Sequence, residues 1–235
     1  TETLQYESLV IATGADPFMP PIKGRDKQGI LSLRTLEDGE KIDQAVKDGA
    51  KSAVIMGAGL IGLETGAALM ERGLKVTVVE MLPQILPQML DADMAKHAQE
   101  ALQEKGMGIL TEKAVEEFLG DEKVTAIMAG GERIEADLFI SAFGVRANTK
   151  LAVEAGIPLG ETRAIKTNAR METDVRDVYA IGDCAEATNV ITHRSACAQL
   201  GTVAVRQGKV AGTNAAGDYA QFSGVLGSAA TRIFD

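Results

Sequence analysis

Apolar and polar positions along the chain follow two periods. Short apolar runs at Tyr6–Thr13, Ser52–Met56, Val76–Val79, Leu138–Ala142 and Val178–Ile181 predict buried strands. Between them, apolar residues recur at three- and four-residue spacing, predicting helices over Leu36–Lys47, Leu60–Arg72, Asp91–Lys105 and Ser195–Ala215. Gly73 and Gly106 supply stops for two of these helices, and Asp91 an N-cap. Val124–Met128 and Arg133–Ala136 flank Ala129-Gly130-Gly131-Glu132, which is hairpin chemistry. The Pro and Gly cluster from Pro17 to Gly24 breaks the pattern as a loop or linker, and residues 146–173 read as mixed and loop-rich. Alternating strands and helices predict an α/β fold built on largely parallel sheets.

Composition narrows the classes of function. With 46% hydrophobic and 24% charged positions, the chain has the profile of a globular protein. No uninterrupted apolar run reaches the length of about 18 residues that a membrane span needs, so no membrane association is expected. The 33 acidic against 24 basic residues, with no local block of Lys and Arg, argue against nucleic acid as partner. Two cysteines, Cys184 and Cys197, make neither a disulfide framework nor a zinc-ligand spacing, and point to a reducing, cytoplasmic compartment. No metal site is expected. The chain opens at Thr1 without an initiator Met and stops at Ile233-Phe234-Asp235 as an apolar segment begins. It therefore reads as part of a longer polypeptide, and the lack of a targeting signal carries no information.

The strongest motif is Gly57-x-Gly59-x-x-Gly62, set between a predicted strand and a predicted helix. Gly57 permits the tight turn, Gly59 removes the Cβ that would block a pyrophosphate, and Gly62 allows close helix packing. The diphosphate would lie at the helix N-terminus around Leu60 and Ile61, where free amides and the helix dipole stabilise it. Glu80 ends the next strand, 18 residues after Gly62, in position to accept hydrogen bonds from adenosine ribose hydroxyls. Met81 and Leu82 follow, with no Arg beside them to receive a 2′-phosphate. Two like charges about 4 Å apart repel by about 4 kcal/mol at an effective dielectric of about 20, so NADH is the expected donor rather than NADPH.

Two further strand ends, Ala12-Thr13-Gly14 and Ala180-Ile181-Gly182-Asp183, flank this unit. With Glu64, Gly144-Val145-Arg146 and Thr173 they make the chain resemble the pyridine nucleotide-disulfide oxidoreductase family, in its NADH oxidase and coenzyme A-disulfide reductase branch. The resemblance implies an FAD domain interrupted by a Rossmann-like NAD domain: flavin-domain portions at 1–31 and 146–222, the NAD domain at 32–145, and the start of a C-terminal dimerisation domain at 223–235. It implies that Asp183 accepts a hydrogen bond from an FAD ribityl hydroxyl beside Gly182, and that Ala12, Thr13 and Gly14 line the FAD nucleotide. Glu64 resembles a family glutamate near flavin and nicotinamide, and Gly144 the position where nicotinamide approaches the backbone. The helix expected from Ser195 resembles one whose N-terminal amides face the flavin, although Gly201, Gly208 and Gly212 fit close helix packing equally well.

The implied reaction is hydride transfer from NADH to FAD and onward to a disulfide, persulfide or oxygen acceptor, in a homodimer. The family's opening Gly-rich FAD turn and its redox cysteine are not in this sequence. Cys184 and Cys197 read as structural, and neither His97 nor His193 resembles the family's C-terminal His. Two alternatives stay open: a ferredoxin or rubredoxin reductase using the same two nucleotides, and an inactive NAD-binding module.

Overall fold

The computed structural model describes residues 2–234. In chain order the elements are β1 (Leu9–Ile11), β2 (Ala15–Pro17), β3 (Ile30–Ser32), α1 (Leu36–Lys47), β4 (Ser52–Met56), α2 (Leu60–Glu71), β5 (Lys75–Val79), α3 (Ala92–Glu104) and β6 (Gly108–Leu110). There follow β7 (Val115–Leu119), β8 (Ala126–Ala129), β9 (Glu132–Glu135), β10 (Leu138–Ser141), β11 (Val145–Ala147), α4 (Lys150–Glu154), β12 (Val178–Ala180) and α5 (Gly201–Ala215). They form two compact units. One comprises the residues up to Asp16 with Val145–Ala229, the other Pro17–Gly144 with the residues from Ala230 onward.

The second unit is built on a five-stranded sheet in the order β3-β10-β4-β5-β6, with every neighbouring pair parallel. Both faces of such a sheet are covered, which is why β4 and β10 are apolar along almost their whole length rather than alternating. α2 lies on this sheet through Gly66. A Cβ there would stand 3.2 to 3.4 Å from Met107, Ile55 and Val76 side chains, tighter than ordinary packing. α1 starts where the sequence places it because Thr35 and Asp38 cap each other. The Thr35 hydroxyl oxygen accepts from the Asp38 N–H, and the Asp38 carboxylate accepts from the Thr35 N–H. The hairpin expected around Gly130-Gly131 is present as β8 and β9, extended by β7 into a three-stranded antiparallel sheet.

The first unit contains a parallel pair, β1 with β12, and the pair β2 with β11. Its core gathers Ile11, Ile165, Met171, Tyr179, Cys184 and Phe222.

The unit boundaries differ from those read in the sequence. The first crossing falls after Asp16 rather than after residue 31. Residues 17–31 are drawn into the second unit because β3 extends its parallel sheet and Phe18 N–H donates to the Gly144 carbonyl. The return falls at Val145, and the first unit runs on past 222 to Ala229, since Val225 N–H donates to the Thr188 carbonyl. Ile233 and Phe234 pack against the core of the second unit. The expected helix from Ser195 begins at Gly201: Ser195 and Ala196 pair antiparallel with Thr188 and Ala187, and Leu200 is extended. Cys197 therefore precedes the helix.

Candidate nucleotide-binding sites

In the second unit, β4 runs straight into the glycine turn and α2, and the three glycines meet different demands. Gly57 has φ +115°, and a Cβ there would stand 2.2 Å from the Ala142 carbonyl oxygen. A Cβ at Gly62 would stand 2.1 Å from the Gly57 carbonyl oxygen, so the helix closes on its own turn as well as on the sheet. Gly59 is different. Its φ of −79° suits any residue, and a Cβ there would meet nothing within 4 Å. The protein itself makes no demand for glycine at this position. What an added side chain would fill is open space at the start of α2, a helix with no side-chain cap and no acidic residue in its first turn. Amides of Leu60, Ile61 and Gly62 there are suited to an anion.

Glu80 lies at the end of β5, nine-tenths buried. One carboxylate oxygen accepts from the Ala58 N–H at 2.9 Å, the other from the Leu82 N–H at 2.9 Å. The side chain thus ties the glycine turn to the end of the neighbouring strand. Each oxygen keeps a lone pair for a ribose diol. Met81 and Leu82 form an exposed apolar edge beyond it. Gly144 has φ +99° with open space where its Cβ would be, so backbone conformation alone requires glycine there. Glu64 stands on the exposed face of α2 and accepts a hydrogen bond from the Thr231 hydroxyl.

In the first unit, Ala12, Thr13 and Gly14 follow β1. Asn148, which sequence reasoning did not single out, clamps them. The Thr13 hydroxyl donates to the Asn148 carbonyl at 2.6 Å, the Asn148 side-chain amide donates back to the Thr13 carbonyl at 3.1 Å, and the Asn148 N–H donates to the Gly14 carbonyl at 2.9 Å. An open cleft of about 930 Å³ beside them is lined by Thr13, Asp16, Asn148, Lys150 and Glu154 among others. Gly182, at φ +72°, turns the chain out of β12 into a short 3-10 turn that carries Asp183. Gly201 at the start of α5 and Gly212 have open space where a Cβ would be, and Gly208 has only an ordinary contact with Ile181. Close packing thus does not account for Gly201 and Gly212.

Neither cysteine is placed for nucleophilic work. Cys184 is fully buried and its thiol points at the Ile181 carbonyl, 3.2 Å away. Burial, with the charges of Asp183, Cys184 and Glu186 adding, pushes the Cys197 thiol up to about 11, so it stays protonated at neutral pH. Among the described residues no group of His, Cys, Asp or Glu could hold a metal ion, and no helix is long and apolar enough to cross a membrane.

A parallel sheet that feeds a glycine turn, a helix and a strand ending in a buried acid defines a dinucleotide-binding α/β protein. The pyridine nucleotide-disulphide oxidoreductase model matches residues 1–208, and the chain belongs to that family. It is 46% identical over 233 residues to an NADH oxidase of Methanocaldococcus jannaschii, covering 99% of this chain and 52% of that protein. An NAD(P)H sulfur oxidoreductase (CoA-dependent) of Pyrococcus furiosus is 35% identical over 235 residues, covering 100% of this chain and 53% of that protein. Among solved structures, an NAD-dependent persulfide reductase from A. fulgidus superposes with a TM-score of 0.95 at 41% identity, over 99% of this chain and 43% of that one. The chain spans about half the length of the relatives it matches. FAD and NADH are the cofactors of the family.

Proposed function

We propose that this chain supplies the NADH site and part of the FAD site of a flavin-dependent NADH oxidoreductase whose electrons pass to a disulfide, a persulfide or oxygen. The observation that carries the reading is Gly59: neither backbone conformation nor any neighbouring atom requires glycine there, and a diphosphate at the head of α2 would. In this reading the α2 amides hold the diphosphate, Glu80 accepts from the ribose hydroxyls, and Met81 lies along the adenosine. Gly144 lets the nicotinamide approach the backbone, and Glu64 stands near it. Ala12, Thr13, Gly14, Gly182 and Asp183 contact the flavin nucleotide in the first unit. Bound FAD supplies the two-electron acceptor for the NADH hydride. The chain's own part is to bind, to orient and to keep side chains out of the way.

The choice among sulfur and oxygen acceptors follows the relatives, which include both oxidases and sulfur reductases. Homodimer assembly and a cytoplasmic location belong to the same proposal. The test is Gly59→Ala. Its melting temperature should stay near that of the parent, because the new Cβ meets nothing, while the NADH Kd should rise at least about tenfold. Unchanged NADH affinity would sink the reading. Anaerobic NADH titration of the intact flavoprotein should bleach the flavin absorbance, and a persistent yellow colour would count equally against it.

A further inference from the structure

We propose that Gln207 is the positioning residue for Asp183, fixing the turn on which flavin retention depends; this rests on the reading of Asp183 as a ribityl contact. Gln207 lies on α5 and is only 2% exposed. Its Oε1 accepts from the Gly182 N–H at 2.7 Å, and because that partner is a donor, the carbonyl end of the amide must face the turn. Gly182 stands just past the sheet: β12 ends at Ala180, and Ile181 N–H makes the last bond across to β1, to the Ile11 carbonyl at 3.0 Å. Ile181 is extended, at φ −142° and ψ 162°, so the next N–H along the chain, that of Gly182, points away from β1 and needs another acceptor. Its carbonyl accepts from the Ala185 N–H at 3.0 Å, closing the turn.

The peptide that carries Asp183 is therefore held from both sides of Gly182, on one side by its own turn and on the other by a helix 25 positions downstream. A Leu or Met of similar volume would fill the same space in the core. Burying an amide there is unfavourable unless its hydrogen bonds are made, so the choice of Gln at a site this closed has its reason in the bond to the turn.

The experiment measures FAD Kd of the intact apoprotein by fluorescence quenching, with melting temperatures alongside. Gln207→Leu removes the acceptor and should raise the FAD Kd about tenfold. Gln207→Glu keeps an acceptor oxygen and should stay within about threefold of the parent. Asp183→Asn should weaken FAD binding by itself, and the double variant Asp183→Asn with Gln207→Leu should be little worse than Asp183→Asn alone. A purely structural glutamine would lower the melting temperature without this coupling. Gln207→Leu with unchanged FAD affinity, or additive effects of the two substitutions, would overturn the role of Gln207 while leaving Asp183 in place. An Asp183→Asn variant that binds FAD normally would instead remove the reading of Asp183 itself, and the proposal with it. Gln207→Met, unbranched and without the acceptor, replaces the Leu variant if that does not fold, and loss of folding in both overturns a positioning role.

Discussion

Replacing Glu80 with Ala separates the two tasks of this side chain, bracing the fold and reading the ribose. Its carboxylate accepts from two amides, those of Ala58 and Leu82. Leu82 is 38% exposed, so water can satisfy its N–H once the carboxylate is gone. Ala58 is fully buried, and its N–H would be left without a partner at a cost of about 1–3 kcal/mol. For a chain of this size each kcal/mol moves the melting temperature by about 2–4 °C, so the variant should melt about 2–12 °C lower. The nucleotide effect is independent. Losing a charged acceptor for a ribose hydroxyl is worth about 1.5–3 kcal/mol, or about 10- to 150-fold in NADH Kd. NADPH should gain, because the repulsion between its 2′-phosphate and the carboxylate disappears. Scanning calorimetry gives the first quantity, and titrations of reduced-nicotinamide fluorescence with both nucleotides give the second. An unchanged melting temperature would show that Ala58 does not depend on the carboxylate. An unchanged NADH to NADPH ratio would show that Glu80 does not read the ribose.

The remaining predictions concern groups outside the glycine turn. Cys197, with its thiol raised to about 11, should react with iodoacetamide negligibly at pH 8 and appreciably only as the pH approaches that value; fast labelling at pH 8, read by mass spectrometry, would contradict the burial that raises it. Glu186 is buried, and burial pushes its carboxyl up. Hydrogen bonds from the Ser195 side chain and from the Thr162 amide and hydroxyl outweigh that and hold it below its ordinary 4.5. A depressed folded-state value stabilises the fold above the unfolded value, and the contribution is lost as the pH falls through the folded one. Unfolding free energy should therefore decline below about pH 4.5, and Glu186→Gln should flatten that decline in urea titrations; parallel curves for the two proteins would remove Glu186 as its source.

Features carried by local chemistry were legible in the sequence. α1 and β4 begin and end where the pattern places them, because the capping pair Thr35 and Asp38 and the apolar run Ser52–Met56 each act within a few positions. Short strands were not. β7 reads Val-Glu-Glu-Phe-Leu, with two adjacent acids and no clean alternation, and exists because β8 pairs with it across a register irregularity. The start of α5 was misplaced because the small residues before Gly201 carry no periodic signal, and strand pairing with Ala187 and Thr188 claims them instead. The spacing of Glu80 pointed to ribose but not to its grip on Ala58, which is 22 positions away. Asn148 and Gln207 were invisible because each acts on backbone, 135 and 25 positions distant, and nothing in an Asn or Gln records which amide or carbonyl it will meet.

The parallel pairing of β1 with β12 joins Leu9 to Val178, with the whole second unit up to Gly144 lying between them in the chain. During synthesis the five strands of the second unit's sheet are all available before the partner of β1 has been made. From Ile11 to Val178 a ribosome adding about 5–20 residues per second needs about 8–33 s. For that interval Leu9, Val10 and Ile11 lack the backbone partners that β12 supplies in the folded chain. The division of the chain into its two units thus also sets a waiting time before β1 can complete its pairing.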